Sequence, residues 1–278
     1  MKLIYVLLSV VLLGCSQQPV ETEWTYEKSI SLDGINPIGL VSDDDQYILS
    51  DGDHNRVVKV DHTGEITQTI GDFERPMHLD YVKDKSTQRL FIPEYGKDSI
   101  AVIEGTNKSY LSITDSLDAP ASISMFKDEI AIADFYNHRV LYFSNGTWQS
   151  LGSEGKKLGQ FYYPTDVQIM ENYLYIADAY NDRAQVWTKN GEPVMEIGMN
   201  DNLKAATGIH VTATELFLTD FENDRILIYD RMGDLKQIIE KGIDKPTDVI
   251  QNDDELIIAN YRKGELVFYK KTAIKRKQ

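Results

Sequence analysis

Residues 166–197 read DVQIMENYLYIADAYNDRAQVWTKNGEPVMEI, and their apolar residues fall into four short runs. Asp166 to Ile169 is the first, Tyr173 to Ala177 the second, Ala184 to Trp187 the third and Val194 to Ile197 the fourth. Each run has the length and period of a strand, and turn residues such as Lys189-Asn190-Gly191 separate them. A four-stranded unit of about 40 residues, repeated radially, is a β-propeller blade.

The unit recurs along the chain. Its proline-led turn aligns at Pro37, Pro76, Pro120, Pro164, Ala206 and Pro246, in steps of 39, 44, 44, 42 and 40 residues. A polar residue closes the second strand of every copy: Asp51, Glu94, Asp134, Asp178, Asp220 and Asn260. Five residues on stand Arg56, Arg139, Arg183 and Arg225, with Ser99 and Glu265 breaking the pattern. The sixth copy stops at Leu266–Tyr269, its third strand, while Trp24–Ile30 forms a spare strand ahead of the first. The expected fold is all-β: a six-bladed β-propeller with four-stranded blades, closed by an N-terminal strand completing the last blade.

The copies also resemble a known family. Gly159-Gln160-Phe161-Tyr162-Tyr163-Pro164-Thr165-Asp166-Val167 and Tyr175-Ile176-Ala177-Asp178-Ala179-Tyr180-Asn181-Asp182-Arg183 are similar to the NHL repeat. Ala133–Arg139 and Thr219–Arg225 match its second half. The resemblance implies a six-bladed ring, in agreement with the independent count.

The ends read differently. Met1-Lys2 precedes Leu3–Leu13, which is apolar except for Ser9 and too short to span a bilayer. The stretch ends in Leu12-Leu13-Gly14-Cys15, and this resembles the lipobox of bacterial lipoproteins. The resemblance implies cleavage before Cys15 and acylation of it, with Ser16 pointing to outer-membrane sorting. Cys15 is the only cysteine in 278 residues, so no intrachain disulfide can form. The chain then divides into a signal segment (1–14), the lipidated cysteine and tether (15–23), the propeller (24–271) and a basic tail (272–278). With 29 basic against 44 acidic residues and a net charge of −15, nucleic-acid binding by counterion release is excluded as a main role. The chain is expected to be a monomer held to the membrane through its lipid.

Three residue sets are candidates for function. The repeated Asp and Arg are turn scaffolding, since a pair used four times around a ring does not make four active sites. Two residues after each anchor lie Gly39, His78, Ser122, Asp166, Gly208 and Asp248. Turned inward, His78, Asp166 and Asp248 would form a pseudo-threefold cluster at one channel mouth, able to hold a divalent metal ion or a polar ligand; the competing reading is that these aspartates serve local turns. The third set is aromatic: Tyr95, Phe135, Tyr136, Tyr180, Phe221 and Tyr261 occupy turns on one face, with Phe161, Tyr162 and Tyr163 in the long loop before blade four. Aromatics beside Asp, Asn and Arg suit a protein, peptide or glycan ligand.

Amidating lyases with NHL-type propellers bind zinc through three histidines. Here His54, His62 and His138 fall in turns, which leaves only His78 and His210. The expected function is therefore a lipid-anchored extracytoplasmic binding or scaffolding module. The alternative is a metal-dependent hydrolase or lyase at the central channel mouth. No other cofactor is implied.

Overall fold

A computed structural model describes residues 21–43, 46–84 and 87–274. The first strand, β1 (Thr22–Ser31), belongs to the last blade. Blade one is β2 (Leu40–Asp43), β3 (Gln46–Asp51), β4 (Arg56–Val60) and β5 (Ile66–Ile70). Blade two is β6 (Asp80–Lys83), β7 (Gln88–Glu94), β8 (Ser99–Glu104) and β9 (Asn107–Tyr110). Blade three is β10 (Pro120–Phe126), β11 (Glu129–Asp134), β12 (Arg139–Ser144) and β13 (Thr147–Leu151). Blade four is β14 (Pro164–Ile169), β15 (Tyr173–Asp178), β16 (Arg183–Thr188) and β17 (Pro193–Ile197). Blade five is β18 (Ile209–Val211), β19 (Glu215–Asp220), β20 (Arg225–Asp230) and β21 (Leu235–Ile239). Blade six adds β22 (Pro246–Asn252), β23 (Glu255–Asn260) and β24 (Glu265–Ala273), and its sheet order is β1-β24-β23-β22.

The N-terminal strand thus closes the ring as the repeat count required. It pairs antiparallel with β24 from Thr22↔Ala273 to Ser31↔Glu265, with one irregularity between Tyr26 and Lys28. β24 runs further than the four apolar residues that mark it in the sequence, because Lys270–Ala273 continue the ladder. Trp24 is held from two sides. Its side chain is buried, with its ring edge-on to Phe217 at 5.8 Å, and its backbone is clasped by Gln237 of blade five. That amide accepts from Trp24 N at 2.8 Å and donates to Trp24 O at 2.7 Å.

The core lies between blades. Six apolar clusters fill the six gaps between neighbouring blades. Strand alternation sends successive side chains to opposite neighbours: Leu49 packs toward blade six, Ile48 toward blade two. A middle strand covered on both faces must be apolar through its centre, which accounts for runs such as Leu256–Ala259.

Buried polar residues connect one turn to the next. Asp51, Glu94, Asp134, Asp178, Asp220 and Asn260 are all fully buried. Asp134 accepts from Asp118 N, Asn137 Nδ2 and Arg139 Nε at 2.7–2.9 Å. Asp178 and Asp220 repeat that set with Tyr162 N and Lys204 N. The repeated pairs are scaffolding.

A second set of links was not visible in the sequence. Asn55, Asp98, His138, Asp182 and Asp224 are left-handed, with φ between 51° and 55°. This conformation is tolerable for short polar side chains. Each accepts, through its side chain, from a backbone N–H ahead of the following blade: Arg75, Ala119, Tyr163, Ala205 and Lys245 respectively, at 2.8–3.1 Å.

Candidate functional site

The inner strands run away from the turn face that carries the proline anchors. Their channel-lining edges leave N–H groups without ladder partners, and side chains of the preceding blade satisfy them. Asp166 Oδ2 accepts from Ile209 N at 2.8 Å, and Asp248 Oδ2 from Leu40 N at 2.7 Å. Ser124 Oγ accepts from Ile169 N, and Gln168 Oε1 from Val211 N. The two glycines of the ring are imposed by crowding. A Cβ on Gly208 would lie 2.4 Å from Thr247 O, and one on Gly39 would lie 2.7 Å from His78 Cα.

His78, Asp166 and Asp248 do converge. They are 4%, 6% and 6% exposed, so the cluster is buried. His78 Nδ1 lies 3.5 Å from Asp248 Oδ2 and 4.0 Å from Asp166 Oδ2. Neither contact has hydrogen-bond geometry, so the nitrogen is flanked by two carboxylates without a hydrogen bond to either. Asp166 Oδ1 also accepts from the Ser122 hydroxyl at 2.6 Å. Both aspartates accept their own following N–H, from Val167 and Val249 at 2.8 Å. The local-turn role is therefore real, but each carboxylate also has a cross-blade role.

These residues stand at the inner end of a cavity of about 380 Å³. Its lining continues along the inner strands to Phe126, Met170 and Asn252, where they turn into the second strands. The funnel opens on the face opposite the aromatic turns, and this places the cluster deeper than the channel mouth where it was expected. Asp80, Ser124, Gln168 and His210 are among the further polar residues that line the walls. They lie four residues after their anchors, so the repeat register could have found them.

Electrostatics in the funnel are dominated by burial. Asp166 is pushed up to about 6, first by burial; His78 restrains that shift and Asp248 adds to it. Burial also pushes Asp80 up to about 6, against the N–H groups of Met125 and Tyr81. His210 is driven down to about 4 by burial, with Asp248 opposing. For His78 burial acts against the imidazolium, yet Asp166 and Asp248 together hold it above its ordinary value.

The aromatic face is the second feature. Tyr95, Phe135, Tyr136 and Tyr180 come together with Tyr163, with ring centroids 4.8–6.3 Å apart. Tyr162 and His138 extend the patch, stacked at 5.3 Å and 5°. Phe221 and Tyr261 stand apart as a pair at 6.4 Å, and the Tyr261 hydroxyl donates to Asp53 at 2.6 Å. Phe161 leaves the set, because it is fully buried and stacked on Trp187. The left-handed turn at Gly152 brings backbone so close that a Cβ there would sit 2.4 Å from the Phe161 ring. Cys15 lies outside the described residues.

Fold and channel together define a six-bladed β-propeller with an acidic, histidine-containing central funnel. Among solved structures the chain is similar to a streptogramin B lyase, at 14% identity and a TM-score of 0.65, over 92% of this chain and 88% of that one. It is also similar to virginiamycin B lyase from Staphylococcus aureus, at 14% identity and TM-score 0.65, over 92% of this chain and 90% of that one. A catalytically inactive histidine-to-alanine variant of that enzyme, solved with quinupristin, gives 15% and 0.64 over the same shares. At these identities the likeness shows the fold alone. No protein-family model matches the chain, and no curated protein matches it.

Proposed function

We propose that this chain is an NHL-type propeller anchored by lipid at Cys15 in the bacterial envelope, at the outer membrane. In this reading it is a monomeric module that binds a protein, peptide or glycan on its aromatic face. The observation that carries the reading is the exposed ring cluster: Tyr136 and Tyr180 are 49% and 58% exposed, yet both are locked against neighbouring rings. Preorganised, solvent-facing aromatics lose little freedom when a ligand covers them.

Chain geometry supports the orientation. The Thr22↔Ala273 rung puts the start of β1 and the end of β24 together, on the face opposite the aromatic turns. A tether attached on that side supports a reading in which the aromatic face points away from the bilayer.

The test uses the chain from Ser16 onward, which keeps every described strand. Binding to purified peptidoglycan and to a periplasmic peptide library is measured beside a Tyr136→Ala/Tyr180→Ala double variant of unchanged melting temperature. Binding that the double variant loses is expected; binding that it retains rejects the face. Labelling with a palmitate analogue that survives Cys15→Ser rejects the anchor. A metal-dependent hydrolase or lyase working from the funnel is the second reading, and the buried His78 nitrogen, facing two carboxylates without a hydrogen bond, is the observation in its favour.

A further inference from the structure

We propose that His78 Nδ1, Asp166 Oδ2 and Asp248 Oδ2 bind a divalent transition-metal ion of the zinc or manganese type, with its remaining coordination positions open to the funnel. The site is independent of the aromatic face.

Three observations converge. The cluster brings one nitrogen and two carboxylate oxygens within 4.8 Å of one another. Ligand atoms that share an ion at about 2.0–2.2 Å stand roughly 3–4 Å apart; the two nitrogen–oxygen separations, 3.5 and 4.0 Å, fall in that range, and the set as a whole, spread over 4.8 Å, must contract slightly around the ion. Second, the His78 nitrogen is buried without a hydrogen-bond partner and faces both oxygens. Buried polar atoms of this kind are rare, and each requires an explanation such as an ion.

Third, the carboxylates are already oriented. Ile209 N–H and Leu40 N–H, each from the following blade, fix the oxygens that face His78 and leave each a free lone pair. Such outer contacts are the usual support of a metal ligand. The donor set selects the ion class. Calcium takes six to eight oxygens, and magnesium keeps mostly water and carboxylate, so neither matches a site built around an imidazole. Mixed imidazole and carboxylate ligands suit zinc, manganese and iron. Three protein ligands at the end of a cavity correspond to an open site rather than a closed structural one.

The competing explanation is an imidazolium held between two carboxylates with no ion. Titration calorimetry of the chain from Ser16 onward, with ZnCl₂ and with MnCl₂, separates the two. One equivalent is expected to bind and to raise the melting temperature. His78→Gln and Asp248→Asn should each weaken binding by more than the roughly 10–100-fold loss typical of an outer partner. The amide oxygen introduced by Asp248→Asn can still accept from Leu40 N–H, so the ring contact survives that substitution. His54→Ala and His62→Ala, remote from the funnel, should change nothing. Should both funnel variants fail to fold, nitrogen NMR of the unaltered chain decides: zinc must shift the His78 Nδ1 resonance. Absence of stoichiometric binding, binding unchanged in the two variants, or a protonated His78 unmoved by zinc would each overturn the site.

Discussion

Arg183→Ala offers the sharpest test of how the blades are locked together. The Arg183 side chain is 1% exposed and its partner Asp178 is fully buried. Its guanidinium donates to Asp178 at 2.8 Å, to the carbonyls of Lys156, Lys157 and Gln160 at 2.9–3.1 Å, and to Glu196. Breaking a buried pair by removing one partner costs about 3–5 kcal/mol. Asp178 keeps three donors, Tyr162 N, Asn181 and Gln185, so the lower half of that range applies. At about 2–4 °C per kcal/mol for a domain of this size, a loss of about 3–4 kcal/mol should lower the melting temperature by roughly 6–16 °C. The corresponding side chains of Arg225, Arg139 and Arg56 are 15%, 16% and 25% exposed, so water replaces part of what each loses. Their alanine variants should follow in that order with smaller losses. Thermal unfolding followed by circular dichroism measures all four. An Arg183→Ala loss below about 1 kcal/mol, the range of exposed pairs, would refute the reasoning; so would an Arg56→Ala loss as large.

Three other outcomes are expected. Trp24→Ala should cost about 3–5 kcal/mol in chemical denaturation, as large aromatic truncations do, whereas Trp24→Phe keeps the buried ring, removes an unpartnered Nε1 donor and should cost under about 1.5 kcal/mol. Gly208→Ala forces a methyl against Thr247 O, so it should lower stability by about 1–3 kcal/mol in the same assay, while Gly146→Ala, with nothing within 4 Å but a left-handed φ of 79°, meets only backbone strain. Burial depresses His210 to about 4 from an ordinary 6.5, so the stability it protects is present above about 6.5 and lost as pH falls toward 4. A His210→Asn variant should show a flatter melting temperature across that window, and identical slopes would refute the assignment.

Much of the ring was legible from residues 36–271 because a blade repeats both its apolar pattern and its punctuation. Ile48 and Leu49 look alike in sequence, and both being apolar is what a strand between two neighbours demands. Closure was legible because β24 lacked an outer partner in its own copy. The left-handed links at Asp98 and His138 were not, since their partners stand 21 and 25 residues away and have no local signature. His78, Asp166 and Asp248 could be read from their shared register. Their depth in the funnel could not, because it depends on which end of the inner strands the cavity opens. Phe161 looks in sequence like its loop neighbours Tyr162 and Tyr163, whereas the tight turn at Gly152 holds it inward.

The closing strand has a mechanical consequence. Thr22 and Ala273 sit on one rung, so a pull on the chain ahead of Thr22 opens that rung before any other. The strand peels, with its bonds loaded in succession instead of sharing the force in shear. Two rungs in, the pull meets Trp24, clasped by Gln237 and seated against Phe217. Tension applied at the start of β1 would thus unravel two exposed residues before it meets that clasp, leaving the ring closed behind it.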